Sequence, residues 1–216
     1  MSAKQSEDFQ KLLTTEVFSD IALKIDDEVI QAHKNILVIR SPVFLDLIMK
    51  NPSIDELEIT EIKYEVMKIV LFFMYTGKFP EFDSNTVCDV LIASNKYELF
   101  DLKSNCEENI IKSLKIDNVI KYLIFSLTCD STAIKKQATE FLIDNFIHFR
   151  GPDFQKIQDI DPKLLIEILD RSTKKLSAPI INQQISTDDK FAIARNSTKP
   201  ETKLRYVATP IPGLRK

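Results

Sequence analysis

The stretch from Gln31 to Phe44, "QAHKNILVIRSPVF", holds one of only two histidines in the 216-residue chain, and its reading decides the fold. His33 and Lys34 stand side by side, followed by an apolar run that ends in Ser41-Pro42. A histidine in this setting is either a ligand or general base, or a structural group at a chain reversal. The second histidine, His148, lies far along the chain and no cysteine cluster accompanies His33, so partners for chemistry are missing from its surroundings. The flanking patterns favour structure. Upstream, "FSDIALKI" alternates Ile21, Leu23 and Ile25 with polar or small residues, "DDE" supplies a turn and "VIQAH" returns, which predicts a β-hairpin. Downstream, "NILVIR" reads as a short helix. "SPVFLDLIMKN" starts another, with Ser41 as N-cap and Pro42 at its first position, and Asn51-Pro52 stops it. His33 therefore sits at a strand-to-helix junction, where an imidazole can bond backbone groups exposed at the turn.

Working outward, "SEDFQKLL" predicts a first helix with Ser6 as cap and an apolar edge of Phe9, Leu12 and Leu13 that has little to pack on locally. After the strand "LEIT", the segment "EIKYEVMKIVLFFMYTGKF" places Val66, Ile69, Val70 and Phe73 at helical spacing, and Gly77 is positioned to end it in a left-handed turn. "FFMY" reads as core. Four further helical segments follow, opened by Ser84, Asp101, Asp117 and Ser131, and short polar links make them consecutive hairpins. Phe125, Phe141, Phe146 and Phe149 on the later helices line either their own core or a groove for a partner peptide. Asp161 caps a last helix, "DPKLLIEILD", with Pro162 at its first position. Beyond Ser172 the periodicity fails, and the basic, proline-containing segment to Lys216 is expected to be an extended tail that orders on a partner. Its end, "KLRYVATPIPGLRK", has the make-up of a short recognition motif.

Composition removes several function classes. Three glycines cannot supply a P-loop or a dinucleotide-binding turn, and neither fingerprint occurs. No nucleophile elbow surrounds Ser41, and Cys88, Cys106 and Cys129 are widely spaced among apolar residues with no zinc pattern, so buried thiols in a reducing compartment are expected. No catalytic residue, metal or cofactor is expected. The densest apolar run, "IVLFFMY", is far too short to span a bilayer, which with the polar N-terminus predicts a cytoplasmic or nuclear protein without membrane contact. The net charge of −3 is uneven: residues 171–216 carry ten Lys or Arg against three Asp or Glu, leaving the body near −10. An acidic body argues against direct nucleic-acid binding.

The strings "EVFSDIALKI", "QAHKNILVIRSPVF", "FFMYTGKFP" and "IASNKYELFDLKSNCEENI" resemble the BTB/POZ domain, particularly the branch of speckle-type POZ and nematode MATH-BTB proteins. Phe18, Ser19, Asp20, His33, Lys34, Ser41, Phe44, Tyr75, Thr76, Gly77 and Tyr97 fall at that family's signature places. The resemblance implies an α+β fold, a small sheet flanked by helical hairpins, over residues 7–114 after a short extension at 1–6. A helical segment similar to the 3-box and BACK regions is implied over 115–171, ahead of the 172–216 tail. It further implies a homodimer, with Phe9, Leu12, Leu13 and Ile36 at the interface and Asp20 and Lys34 as a semi-buried ion pair beside it. This branch typically serves as a substrate adaptor of the Cullin-3 ubiquitin ligase, through a hydrophobic-x-Glu motif in the loop after the "SPVF" helix. Here that loop is shorter, and Ile54, Asp55 and Glu56 are the matching candidates. No MATH-like segment precedes the matching region within these residues, so substrate reading is expected of the C-terminal segment or a dimer partner. The alternative expectation is a BTB scaffold that oligomerises in a transcriptional or cytoskeletal complex without binding a cullin.

Overall fold

A computed structural model describes residues 3–79, 83 and 86–183. The chain divides into two compact units, Met1–Asp170 and Arg171–Lys216. Helix α1 (Ala3–Thr15) leads into strands β1 (Ile21–Ile25) and β2 (Glu28–Ala32), helices α2 (Lys34–Arg40) and α3 (Pro42–Lys50), strand β3 (Glu56–Glu58) and helix α4 (Tyr64–Thr76). Helices α5 (Thr86–Lys96), α6 (Phe100–Lys112), α7 (Val119–Thr128), α8 (Thr132–Asp144), α9 (Gly151–Ile160) and α10 (Pro162–Gln183) follow, with a 3₁₀ turn at Phe146–His148.

The alternation in "IALKI" produces the expected hairpin: β1 and β2 pair antiparallel from Ile21↔Ala32 to Ile25↔Glu28 across an Asp26-Asp27 turn. Ile21, Leu23 and Ile25 all face the core. The third strand joins β1 in parallel, Ala22 opposite Glu56 and Lys24 opposite Glu58, giving the order β2-β1-β3. Helix α4 is buried along most of its length, from Val66 and Met67 to Tyr75 and Thr76, and forms the spine of the first core. It ends as its sequence predicts, with Gly77 at φ +67 and its N–H donating to the Phe73 carbonyl at 2.8 Å.

Several caps differ from expectation. Ser6 does not open α1, which begins at Ala3. Instead Ser6 is buried, and its hydroxyl donates to the Thr76 carbonyl at 3.3 Å. The helix is thus no orphan arm: it packs along α4, with Phe9, Leu12 and Leu13 half-buried against the chain's own core. The Ser84 cap lies outside the described residues, and Asp83 Oδ1 accepts from the Thr86 N–H at 2.7 Å. Asp101 and Asp117 do not cap; α6 starts one residue earlier at Phe100, and α7 starts after Asn118, whose side chain bridges Lys115 N–H and the Ser113 carbonyl. Ser41, Ser131 and Asp161 accept from the N–H three residues on, as N-caps do.

Residues 115–170 build a second apolar core around Val119, Leu123, Leu142, Phe149 and Ile168. Phe141 and Phe146 pack against it, while Phe125 packs against the first core. Helix α9 was not evident from sequence because "GPDFQKIQDI" buries only Ile157 and opens with two residues that read as breakers. Proline is compatible with a first helical turn, and Asp153 accepts from the Arg150 N–H at 3.1 Å to start it. Helix α10 runs eleven residues past Ser172, so the segment to Gln183 is helical rather than extended. Pro179 and the Ser, Thr and Lys residues before it read as a break in a helical pattern, yet Ser177 Oγ donates back to the Thr173 carbonyl at 2.8 Å as in a regular helix. Residues 184–216, including "KLRYVATPIPGLRK", lie outside the described residues.

Two outcomes follow. At Gly77 an added Cβ would meet a left-handed backbone and stand 3.3 Å from an Arg40 guanidinium nitrogen, so Gly77→Ala should lower the urea-unfolding free energy by about 1–2 kcal/mol. The Leu164 N–H, with Lys135 beside it, holds the Asp161 carboxyl below its ordinary range. A carboxylate depressed in the folded state contributes stability above its unfolded pKa and loses it as pH falls. Acid unfolding of the wild type should therefore be steeper below about pH 4 than that of Asp161→Asn, which can cap but cannot titrate.

Candidate functional site

Tertiary contacts converge on His33. Its Nε2 lies 2.8 Å from the Val17 carbonyl, which can only accept, so Nε2 carries the hydrogen. Nδ1 lies 2.7 Å from the Tyr75 hydroxyl, which donates to it, while the His33 backbone N–H donates to the same oxygen at 2.9 Å. Burial is the main force pushing the Tyr75 hydroxyl up to about 12, which keeps its proton in place. One imidazole thereby ties the α1–β1 link, the start of α2 and the end of α4. With both nitrogens engaged inside the fold and only 6% of the residue exposed, His33 is architectural.

Asp20 and Lys34 come together, but not as an ion pair. Asp20 Oδ1 accepts from the Lys34 backbone N–H at 2.7 Å, in the first turn of α2, and Lys34 Nζ donates to the Pro52 carbonyl at 3.1 Å. A free N–H at a helix start is a nearer target for the carboxylate than a long, flexible ammonium. Ile36 is half-buried against the core on α2. Phe18 is 91% exposed, with φ at +61.

The second predicted group is drawn into the sheet. Ile54 packs half-buried against the core, the Asp55 carbonyl accepts from the Ala22 N–H at 2.7 Å, and Glu56 opens β3 with its carboxylate 3.4 Å from Lys24 Nζ. The Asp55 and Glu56 side chains stay exposed. Apolar side chains also reach the surface on α3, where Leu45, Leu47 and Met49 are 43%, 37% and 67% exposed, while Phe44 and Ile48 on the same helix are buried. Sequence reasoning passed over them, although the signal was present: "VFLDLIM" is apolar on nearly every side, more than one buried face requires.

Cys106 and Cys129 are buried and Cys88 is half-buried, and burial raises all three thiols, Cys106 to about 12. Among the described residues no group of His, Cys, Asp or Glu is arranged to hold a metal ion, and no helix is long and apolar enough to cross a membrane.

The hairpin, the His33 junction and the paired helices are what a comparison with known families has to explain, and the BTB/POZ domain family model matches residues 9–114. This chain belongs to the BTB/POZ family. Among its relatives are protein maternal effect lethal 26 of Caenorhabditis elegans, 27% identical over 96% of this chain and 50% of that protein, and TD and POZ domain-containing protein 2 of Mus musculus, 35% identical over 63% of this chain and 39% of that one. The chain thus spans half or less of the length of these relatives. Among solved structures, the BTB domain of human gigaxonin is 31% identical and covers 50% of this chain and 93% of that one, with a TM-score of 0.43. The BTB/POZ domain is a protein-interaction fold, so the candidate site is a surface, and the residues that matter are those its core leaves outside.

Tyr75→Phe would remove both a donor and an acceptor from the His33 node while keeping the ring. It should cost about 1–3 kcal/mol in urea unfolding, because Nδ1 and the His33 N–H are left buried without partners. A change within error would show the node to be dispensable.

Proposed function

We propose that this protein is a homodimeric adaptor that docks onto the Cullin-3 scaffold of a ubiquitin ligase and brings a bound protein to it. The observation that carries the reading is the pair of exposed apolar side chains Leu45 and Met49, four residues apart on one face of α3, the helix that precedes the loop in which family members carry their cullin-binding motif. An apolar face left outside a well-formed core is the usual mark of a protein partner. The half-buried edge of Phe9, Leu12 and Leu13 with Ile36 supports pairing with a second copy, since dimerisation can complete burial that the single chain leaves partial. Two copies would present two ligase arms to one substrate and raise the effective concentration for transfer without any catalytic group in this chain.

The second reading, an oligomerising scaffold that binds no cullin, draws on a specific observation as well. Ile54 is half-buried against the core and the Asp55 carbonyl is held by the Ala22 N–H, so of the hydrophobic-x-Glu motif only the exposed Asp55 and Glu56 side chains are open to a partner.

Calorimetry of the full chain with the Cullin-3 N-terminal region separates the two. On the adaptor reading the wild type binds, and Met49→Asp weakens binding by about tenfold or more with its unfolding midpoint unchanged, as expected for an anchor at the centre of an interface. A folded, dimeric wild type with no measurable heat of binding would leave only the scaffold.

A further inference from the structure

The turn between α3 and β3 presents a hydroxyl ahead of a run of carboxylates. The Ile54 N–H closes the turn by donating to the Asn51 carbonyl at 3.0 Å, and Ser53, inside the turn, is exposed. Ile54 packs against the core, whereas Asp55, Glu56 and Glu58, further along the same strand entry, are exposed. A serine followed by carboxylates on an extended chain suits a protein kinase whose substrate cleft is basic, because Lys and Arg in the cleft pair with the acidic groups while the hydroxyl enters the active site. Ser104 also has a carboxylate three residues on, at Glu107, but it lies within α6, where the chain is not extended. Ser186 and Thr198 share the spacing and lie outside the described residues.

A cation already stands at this turn. Lys34 Nζ donates at 3.1 Å to the Pro52 carbonyl, which belongs to the peptide unit joining Pro52 to Ser53. An ammonium carries three hydrogens, so the same nitrogen can also bond an oxygen of a phosphate on Ser53. Lys50, at the end of α3, is by contrast paired with Asp46 at 2.6 Å.

We propose that Ser53 is a phosphorylation site for an acid-directed serine/threonine kinase, and that its phosphate, held beside Lys34, is a charge switch on the surface through which α3 meets a partner. Ser53 Oγ attacks the γ-phosphorus of ATP, forming an O–P bond as the bond to the bridging oxygen of the leaving ADP breaks, and the hydroxyl proton passes to the kinase's catalytic carboxylate. The product carries a charge of about −1.5 to −2 at neutral pH. It joins the exposed Asp55 and Glu56 just past the end of α3, close in sequence to the exposed Met49. An apolar contact closing over this end has to strip water from the new charge, so phosphorylation releases the partner. The release rests on the adaptor reading of α3, whereas the modification stands without it.

The test treats the full chain with casein kinase II and ATP, locates phosphate by mass spectrometry of proteolytic peptides, and titrates treated and untreated chains with the Cullin-3 N-terminal region by calorimetry. Phosphate should appear on Ser53, and its rate of incorporation there should fall about tenfold or more in Glu56→Lys, with unfolding curves establishing that the variant is folded. Treatment should weaken cullin binding by about tenfold or more in the wild type and leave Ser53→Ala unchanged, which separates Ser53 from any other site the kinase modifies. By phosphorus NMR, the second ionisation of the phosphoserine should lie lower in the wild type than in Lys34→Met, because a neighbouring cation favours the dianion. The proposal is overturned if Ser53 stays unmodified, if its phosphate ionises alike in Lys34→Met, or if the phosphorylated chain binds the cullin region as tightly as the untreated one. A folded, untreated chain that does not bind the cullin region overturns the adaptor reading and the switch with it, while the peptide masses and the NMR shift still decide the modification.

Discussion

The imidazole of His33 is the fastening on which the arrangement of the first core depends. A hairpin that is followed at once by two short helices has to turn sharply, and the turn leaves backbone donors and acceptors facing inward with no ladder to satisfy them. His33 answers on three sides, through its ring to the Val17 carbonyl and the Tyr75 hydroxyl, and through its own N–H back to that hydroxyl. Because Tyr75 is near the end of α4, the hairpin is fastened to the central helix of the core. Arg40 and Ser41 repeat the device a few residues on, the guanidinium Nε donating to the Met74 carbonyl and the hydroxyl donating to the Tyr97 carbonyl at 2.7 Å, while the Phe44 and Tyr97 rings stack at 4.6 Å. Three polar residues of one short segment thus position α2 and α3 on the core.

That rigidity has a consequence for the surface. With α2 and α3 fixed at their starts, their outward faces are rigid platforms, and ordering them for a partner costs little further entropy. The apolar side chains left on them, Ile39 on one and Leu45, Leu47 and Met49 on the other, are presented by helices rather than by loops. The short α3–β3 connection packs Ile54 against the core and runs directly into β3, with the Asp55 and Glu56 side chains still at the surface.

The helices after Ser113 form a second core of their own, but they are joined to the first by specific contacts. Leu114 packs against both clusters, and Ser131 caps α8 while donating to Glu107 on α6 at 2.6 Å. Tyr122 and Ile134, which belong to the later helices, are buried in the first core. A partner bound on one part would therefore be held in a definite relation to a partner on the other.

The sequence by itself determined the hairpin, the helix starts at Pro42 and Thr132, the end of α4 at Gly77 and the family, because alternation, the caps at Ser41 and Ser131 and a left-handed glycine act through adjacent residues. It also favoured a structural reading of His33 over a catalytic one, and the ring's two bonds inside the fold agree with that reading. Tertiary structure alone decided what Ser6, Asp20 and Glu56 do, since each found a partner distant in the chain: the end of α4, the start of α2 and strand β1. Helix α9 was hidden for a related reason. Ile157 is its one buried residue, so it lacks the periodic stripe that makes a helix visible in sequence. The outward apolar faces belong to the same class: an apolar residue in a sequence reads as core, and only the folded chain reveals which of them its own core could not accommodate.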